Sequence, residues 1–214
     1  VALPPTDWQD ESWTWDSMLE KAGQLSTGES MDKVWGTSGI GGNWVVPWCY
    51  GGAWVDESQT TITVAEPESM QGIQLNYDLM QTYLYMPTTV EVEAMGGGNI
   101  FLTGKVAMMV EGSWGVSTLL QIEDFEWGLA PIPYAPGTDI NKRASSYYPD
   151  ALVISSNKAI DQSWDLVNFL VLNDDNYKSF LRIMTQIPAR KAIRSWFVDE
   201  FWKGERPDVN WDAF

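Results

Sequence analysis

The chain has 214 residues, enough to bury a core as one large domain or as two small ones. Its 13 basic and 29 acidic residues leave a formal net charge of −16, and such a surface repels phosphate backbones and anionic lipid headgroups. We therefore expect no nucleic-acid partner. No apolar run reaches the ~18 residues of a membrane span. The lone Cys49 permits no internal disulfide.

Histidine is absent, which removes the commonest general base and the commonest transition-metal ligand. We predict no metal, no other cofactor and no catalytic residue. The 13 tryptophans exceed what a core needs, and several stand in loop-like contexts. Exposed aromatic faces suit sugars, because the C–H face of a sugar stacks on a ring while its hydroxyls bond polar neighbours.

The first predicted helix follows Thr14, a good N-cap residue, with Asp16 at the positive end of its dipole. Its apolar residues recur at helical spacing: Trp15, Met18, Leu19, Ala22 and Leu25. The segment Val34–Pro47 is strand-like. Two adjacent glycines then follow the aromatic run Trp48–Tyr50, which indicates a sharp backbone turn beneath large rings. Those rings serve either the core or a ligand.

Thr60–Val64 predicts a short strand, since all of its residues are β-branched. Pro67 suits the first turn of a helix. Large apolar side chains predict the buried face of this helix: Met70, Ile73, Tyr77, Met80 and Leu84. The segment Thr88–Gly98 is predicted to be a loop.

The stretch Gly96–Trp114 organises the rest of the chain. A glycine loop leads into a helical turn that begins at Asn99 and ends at Gly104, where glycine accepts the left-handed closing conformation. The unbroken apolar run Val106–Val110 predicts a strand covered on both faces, as in parallel sheets. Trp114 would then lie beyond the carboxyl end of a strand, where α/β sheets bind ligands. The alternative is that Trp114 belongs to the core.

The second half of the chain continues the alternation of strands and helices. We predict a helix at 116–122, strands at 125–133 and 151–154, and helices over 160–172, after 175 and after 190. Predicted inward residues of these helices are Trp164, Val167, Leu170, Val171, Tyr177, Phe180, Leu181, Met184, Ile193, Trp196, Phe197 and Phe201. The pattern predicts an α/β fold with a largely parallel sheet.

Two segments carry a family resemblance. The run from Asn99 through Phe101, Gly104 and Lys105 to Trp114, followed by Phe125–Pro133, resembles the "gggdlFasGkvAMvigGsW" and "fdwgvaPlP" segments of family 1 extracellular solute-binding proteins. These proteins serve ABC importers and are relatives of the maltose-binding protein. The resemblance implies the periplasmic-binding-protein type II fold. It also implies residues 1–127 plus 186–214 as the second lobe, and 128–185 as hinge strand and partial first lobe.

The resemblance also implies site residues. In the family, the tryptophan at the place of Trp114 commonly stacks on a sugar ring, and the segment before the "GGdwld" turn contributes ring contacts. Tyr148 and Asp150 stand where the family has a Gly-Gly-aromatic element, so side-chain hydrogen bonds replace backbone contacts. Arg190, in the "lPar" turn, either donates two hydrogen bonds to neighbouring sugar hydroxyls or forms a surface ion pair. The ligand-binding residues predicted in all are Trp114, Trp48, Tyr50, Tyr148, Asp150, Arg190, Trp44 and Glu111.

The resemblance predicts a monomeric, non-enzymatic receptor for a mono- or oligosaccharide that delivers its ligand to membrane permease subunits. It implies a location outside the cytoplasm, with a lipid anchor on an N-terminal part absent from this sequence. Two alternatives stay open. A glycoside hydrolase needs two carboxylates about 5–10 Å apart; the candidates are Glu111, Asp56, Glu57 and Asp150. A receptor of the same fold for a polyamine would hold ammonium groups between aromatic faces and aspartates.

Overall fold

The computed structural model describes residues 1–41, 45–143, 145–155 and 159–213. Within these ranges the α-helices are α1 (Trp15–Leu25), α2 (Pro67–Tyr77), α3 (Thr89–Ala94), α4 (Val116–Leu119), α5 (Ile160–Val171), α6 (Asp174–Met184), α7 (Lys191–Ser195) and α8 (Lys203–Glu205). Short 3-10 helices span Ser30–Asp32, Val46–Tyr50, Ile100–Thr103, Ser113–Gly115, Ile140–Lys142 and Trp211–Ala213. Two π-helical turns span Asp78–Thr82 and Trp196–Trp202.

The chain divides into two compact units. The first unit comprises Val1–Val110, Ala130–Ser146 and Ala213, and the second comprises Glu111–Leu129 and Tyr147–Asp212. The core of the first unit is built from α1, α2 and the helical turn between them: Trp13, Trp15, Met18, Ala22, Ile40, Val46, Cys49, Leu75 and Leu79.

Helix α1 confirms the first sequence prediction. The Thr14 hydroxyl accepts a hydrogen bond from the Ser17 amide, and the Ser17 hydroxyl accepts one from the Thr14 amide, so two free amides of the first turn are satisfied. Trp15, Met18 and Ala22 are buried, as their spacing predicts. The turn Ile100–Thr103 is confirmed as well, with Asn99 and Gly104 as its caps.

Helix α2 begins at Pro67 and Ile73 packs against the core, both as predicted, but three of the five residues of the predicted buried face are exposed. Tyr77 is 58% exposed, and Met70 and Leu84 are also exposed. The buried positions are instead Ser69, Gly72, Leu75 and Leu79. The 3-10 helix Val46–Tyr50 packs on α2, and at Gly72 it is so close that a Cβ would overlap the Val46 carbonyl.

The predicted strands do not form continuous ladders in the described residues. Among the described residues, extended segments pair only through isolated bridges: Thr14 with Tyr134, Thr27 with Val34, Trp35 with Val106, and Val55 with Ile62. The bridge between Trp35 and Val106 is parallel, in agreement with the predicted parallel pairing. The Trp35 amide donates to the Lys105 carbonyl, and the Trp35 carbonyl accepts from the Ala107 amide, both at 2.9 Å. No ladder extends over Val106–Val110, and only Val106 of that run is fully buried.

The segment 151–154 was predicted to be buried, but Leu152 is 50% and Val153 86% exposed. Helix α5 has the predicted bounds within one residue, but it buries no side chain fully and its Trp164 is exposed. In the described part of the second unit, α5 packs on α6. Its apolar residues Ile160, Trp164, Leu166 and Phe169 stay exposed, so the apolar period of the helix does not produce full burial.

Aromatic rings form the core of the second unit. Phe197 and Trp202 have centroids 4.5 Å apart, Trp202 stacks on Trp211 at 5.1 Å, and Trp211 meets Trp127 edge to face. The predicted inward set Ile193, Trp196, Phe197 and Phe201 is buried, which confirms that amphipathic segment. Several of the 13 tryptophans therefore serve the core rather than a ligand.

Two titratable side chains, one buried and one half-buried, make the stability of the first unit depend on pH. Burial raises the pKa of the Cys49 thiol to about 12, and burial followed by the Asp16 carboxylate and Cys49 raises the pKa of Tyr50 to about 12. Their ordinary values are 9.0 and 10.0, so the unfolded chain loses these protons first as pH rises. The stability they contribute is present below pH ~9 and is lost between pH ~9 and ~12.

We expect folded Cys49 to resist an aromatic disulfide reagent at pH 8 and to react fully once urea unfolds the chain. The free energy of unfolding, measured by urea titration, should fall from pH 9 upward. A Cys49→Ala variant should lose part of that fall and keep the share of Tyr50. Rapid labelling of the folded chain at pH 8 would show that the thiol is accessible.

Candidate functional site

Trp114 stands on the surface of the second unit, on the short turn Ser113–Gly115. Its side chain is 48% exposed, so the indole is not core. The six-membered ring lies across Gly112 so closely that a Cβ at that position would overlap it. Tyr148 meets the indole edge to face, with centroids 5.4 Å apart and planes at 67°. The two rings form an exposed aromatic corner, which we call the Trp114–Tyr148 corner.

Glu111 precedes the Trp114–Tyr148 corner, and its carboxylate is hydrogen-bonded to the backbone. Its Oε1 accepts a hydrogen bond from the Gly112 amide at 2.9 Å, and its Cγ occupies the space a side chain at Gly115 would need. Its ligand role stays a prediction.

Asp150 supplies an exposed carboxylate in the segment that carries Tyr148. Its Oδ2 accepts a hydrogen bond from Nε2 of Gln186. A carboxylate oxygen has more than one lone pair, so Asp150 can still accept from a ligand hydroxyl. Gln186 was not singled out in the sequence. Only its place just before the Ile187–Arg190 turn pointed to it.

Arg190 is engaged within the protein. Its Nη2 forms an ion pair with Asp174 at 2.6 Å, and its Nη1 donates to the carbonyls of Val171 and Leu172 at 3.1 and 3.3 Å. The guanidinium also lies 5.7 Å from the ring centroid of Tyr177. These contacts tie the end of α5 to the start of α6. They match the ion-pair interpretation of Arg190, and its contact with a sugar stays a prediction.

Trp48 and Tyr50 belong to the first unit, on the 3-10 helix Val46–Tyr50. Both are half-buried, and Tyr50 packs against the core cluster beside Cys49. Burial, followed by the Asp16 carboxylate and Cys49, raises the pKa of the Tyr50 phenol from 10.0 to about 12. The prediction for Trp44 lies outside the described residues.

A cavity of about 380 Å³ in the first unit is lined by Gly51, Gly52, Ala53, Val55, Asp56, Glu57, Thr63, Glu66, Glu68 and Ser69. Asp56 accepts hydrogen bonds from the amides of Thr60 and Thr61 and from the Ser58 hydroxyl, and these bonds hold its pKa below the ordinary value. A catalytic acid needs a raised pKa instead. Asp56 therefore organises its own loop.

The described residues lack two further features. No group of three or more His, Cys, Asp or Glu side chains there is arranged to hold a metal ion. No helix in that part of the chain has the length and apolar character needed to cross a membrane.

The architecture is the periplasmic-binding-protein type II fold predicted from the sequence. Residues 4–206 match the model of a family described as bacterial extracellular solute-binding protein. Because this match covers nearly the whole chain, the chain belongs to the bacterial extracellular solute-binding protein family. The family is one of extracellular binding proteins, which places this protein outside the cytoplasm.

Solved structures give the same fold. An ABC substrate-binding protein from Listeria monocytogenes in complex with cycloalternan is similar over 100% of this chain and 52% of its own, with TM-score 0.74 and 19% identity. An ABC transporter solute-binding protein from Thermotoga lettingae bound with alpha-D-tagatose is similar over 92% of this chain and 53% of its own, with TM-score 0.64 and 16% identity. This chain thus spans about half the length of both. No curated protein sequence matches it.

Proposed function

We propose that this chain is part of the substrate-binding component of an ABC importer and that it binds a mono- or oligosaccharide. The observation that carries the proposal is the Trp114–Tyr148 corner. A tryptophan 48% exposed, held in place by Gly112 beneath its ring and by a second aromatic at its edge, is a rigid stacking face. Both solved relatives named above hold a carbohydrate.

Asp150 would supply the polar half of this site. A sugar stacked on the indole presents its hydroxyls at the rim of the ring, and a charged acceptor there forms stronger bonds than a neutral one. We propose Trp114, Tyr148 and Asp150 as the contacts from the second unit. Trp48 and Tyr50, in the first unit, stay predicted ligand-binding residues.

The remaining predictions complete the proposal. We propose a monomer that is not an enzyme, acts with membrane permease subunits, and is held at the membrane by a lipid anchor. We also propose that residues 1–127 and 186–214 form the second lobe of the fold and 128–185 the hinge and part of the first lobe. Hydrogen bonds to neighbouring backbone amides engage Glu111 and Asp56, which supports binding over glycoside hydrolysis.

A thermal-shift panel tests the proposal. The probes are cycloalternan, D-tagatose, maltose and maltotriose, with spermidine and putrescine as the polyamine arm. We expect at least one sugar to raise the melting temperature, because a ligand at 100 times its Kd stabilises the folded state by about 2.7 kcal/mol. A response to the polyamines alone would favour a cation receptor. Release of reducing sugar from an oligosaccharide would favour a hydrolase.

A further inference from the structure

Thr185 occupies a backbone conformation that its residue type disfavours. It follows the last residue of α6 with φ 50 and ψ 25, in the left-handed region. Helices usually place glycine or asparagine at this position, because a β-branched side chain is crowded there. The residue is also polar and only 1% exposed. A buried, left-handed threonine persists only where its surroundings favour it, and such residues cluster at functional sites.

The hydroxyl of Thr185 is directed at the candidate site. Its Oγ1 lies 3.3 Å from the Trp114 carbonyl and 2.9 Å from the Met184 carbonyl, so its single proton is shared between two acceptors. The Trp114 carbonyl also accepts from the Ser117 hydroxyl at 3.2 Å. Thr185 therefore links the end of α6 to the turn that carries the indole.

The next residue reaches the other half of the site. Gln186 donates from Nε2 to the Asp150 carboxylate. Asp150 shares its segment with Tyr148, whose ring meets Trp114. Three segments distant in sequence, 112–115, 148–150 and 185–186, are thus joined in a closed set of contacts within the second unit.

We propose that Thr185 and Gln186 are positioning residues that fix the Trp114 stacking face relative to the Asp150 carboxylate. Thr185 acts on Trp114 through the backbone carbonyl, and Gln186 acts on Asp150 through its carboxylate. The separation of these two groups selects which ligands can stack and hydrogen-bond at once, because a site held loosely loses that discrimination. This inference rests on the proposed function for its effect on binding, but its structural part is independent of any ligand.

The structural part is tested by ¹⁹F NMR of protein labelled with 5-fluorotryptophan. The Trp114 resonance is assigned as the one lost in Trp114→Phe. Thr185→Val keeps the side-chain shape and removes the hydroxyl, so we expect the Trp114 resonance to shift or broaden while those of Trp196, Trp202 and Trp211 stay in place. Thr185→Ser, which restores the hydroxyl, should return it. An unmoved Trp114 resonance in Thr185→Val overturns the proposal.

Two further variants provide a replacement for the valine variant and a control. Thr185→Gly lacks the hydroxyl but suits the left-handed backbone, so it serves if the valine variant fails to fold. The matched control is Thr103→Val in the first unit, which removes a similar hydroxyl-to-carbonyl bond of 2.6 Å to Ile100. The control should leave the Trp114 resonance unchanged. A shift of equal size in the control would show that the effect is not local, and would also overturn the proposal.

Binding of the sugar found in the panel provides the second readout. Thr185→Gly and Gln186→Met should each raise Kd about 3- to 10-fold, a change of the size that the loss of one hydrogen bond produces. If Thr185→Gly moves the Trp114 resonance but no sugar binds, the proposed function fails and the positioning role stands. If sugar binds through Trp114 and neither variant changes resonance or Kd, the positioning role fails alone.

Discussion

Replacement of Trp114 by alanine should raise the Kd for the bound sugar about 5- to 150-fold, a loss of about 1–3 kcal/mol of binding free energy. The reason is that the half-exposed indole offers the ligand an apolar face that alanine cannot replace. The free energy of unfolding should change little, since about half of the side chain is in solvent in the free protein. Isothermal titration of the variant with the sugar found in the panel measures the first effect, and urea denaturation measures the second.

Trp164 provides the matched control for this experiment. It lies on α5 in the same compact unit and is 56% exposed, but it is not among the residues of the Trp114–Tyr148 corner. Trp164→Ala should keep the Kd of the unaltered chain. Equal affinity in the Trp114→Ala variant would remove Trp114 from the site, and with it the main support for sugar over other small solutes.

Gly72→Ala should destabilise the first unit by about 1–3 kcal/mol or more, although alanine is the better helix former by about 1 kcal/mol. A Cβ at position 72 would overlap the backbone carbonyl of Val46, where the 3-10 helix Val46–Tyr50 crosses α2. A backbone segment cannot move aside as a flexible side chain does, so packing outweighs helix propensity. Urea denaturation, followed by circular dichroism, measures the loss.

Gly204→Ala is the control with the opposite expected sign. Gly204 lies in α8, and no atom lies within 4 Å of the position its Cβ would take. The substitution should therefore stabilise the chain by about 0.5–1 kcal/mol through helix propensity alone. Equal stabilisation at both sites would mean that α2 and Val46–Tyr50 are not in close contact in solution.

The helix bounds are the part of the fold that short-range sequence signals predict best. The bounds of α1, α5 and the turn Ile100–Thr103 follow from caps and periodicity, because the interactions that set them lie within a few residues. The prediction of a loop at 88–98 was wrong, because α3 lies within it, and it overlooked a helix-start signal in the sequence. Thr88 and Glu91 form a capping box at the start of α3, with the Thr88 amide donating to the Glu91 carboxylate at 2.7 Å.

The candidate site divides in the same way. Trp114 was singled out from its local motif, and the structure finds it exposed beside Tyr148. Thr185 and Gln186 had no comparable signal, because their relation to Trp114 and Asp150 spans tens of residues along the chain. The interpretation of Arg190 was open in the sequence for the same reason, since its partner Asp174 is 16 residues away.

The sequence alone determined the family of this protein, its helical segments and the tryptophan at the centre of its candidate site, because each is written in adjacent or helically spaced residues. Only the tertiary structure decided which face of α2 is buried, that α5 keeps its apolar faces exposed in the described unit, and that a left-handed threonine contacts the Trp114 turn. Periodicity marks a face as apolar. Whether that face is buried, and against what, depends on a surface contributed by a distant part of the chain.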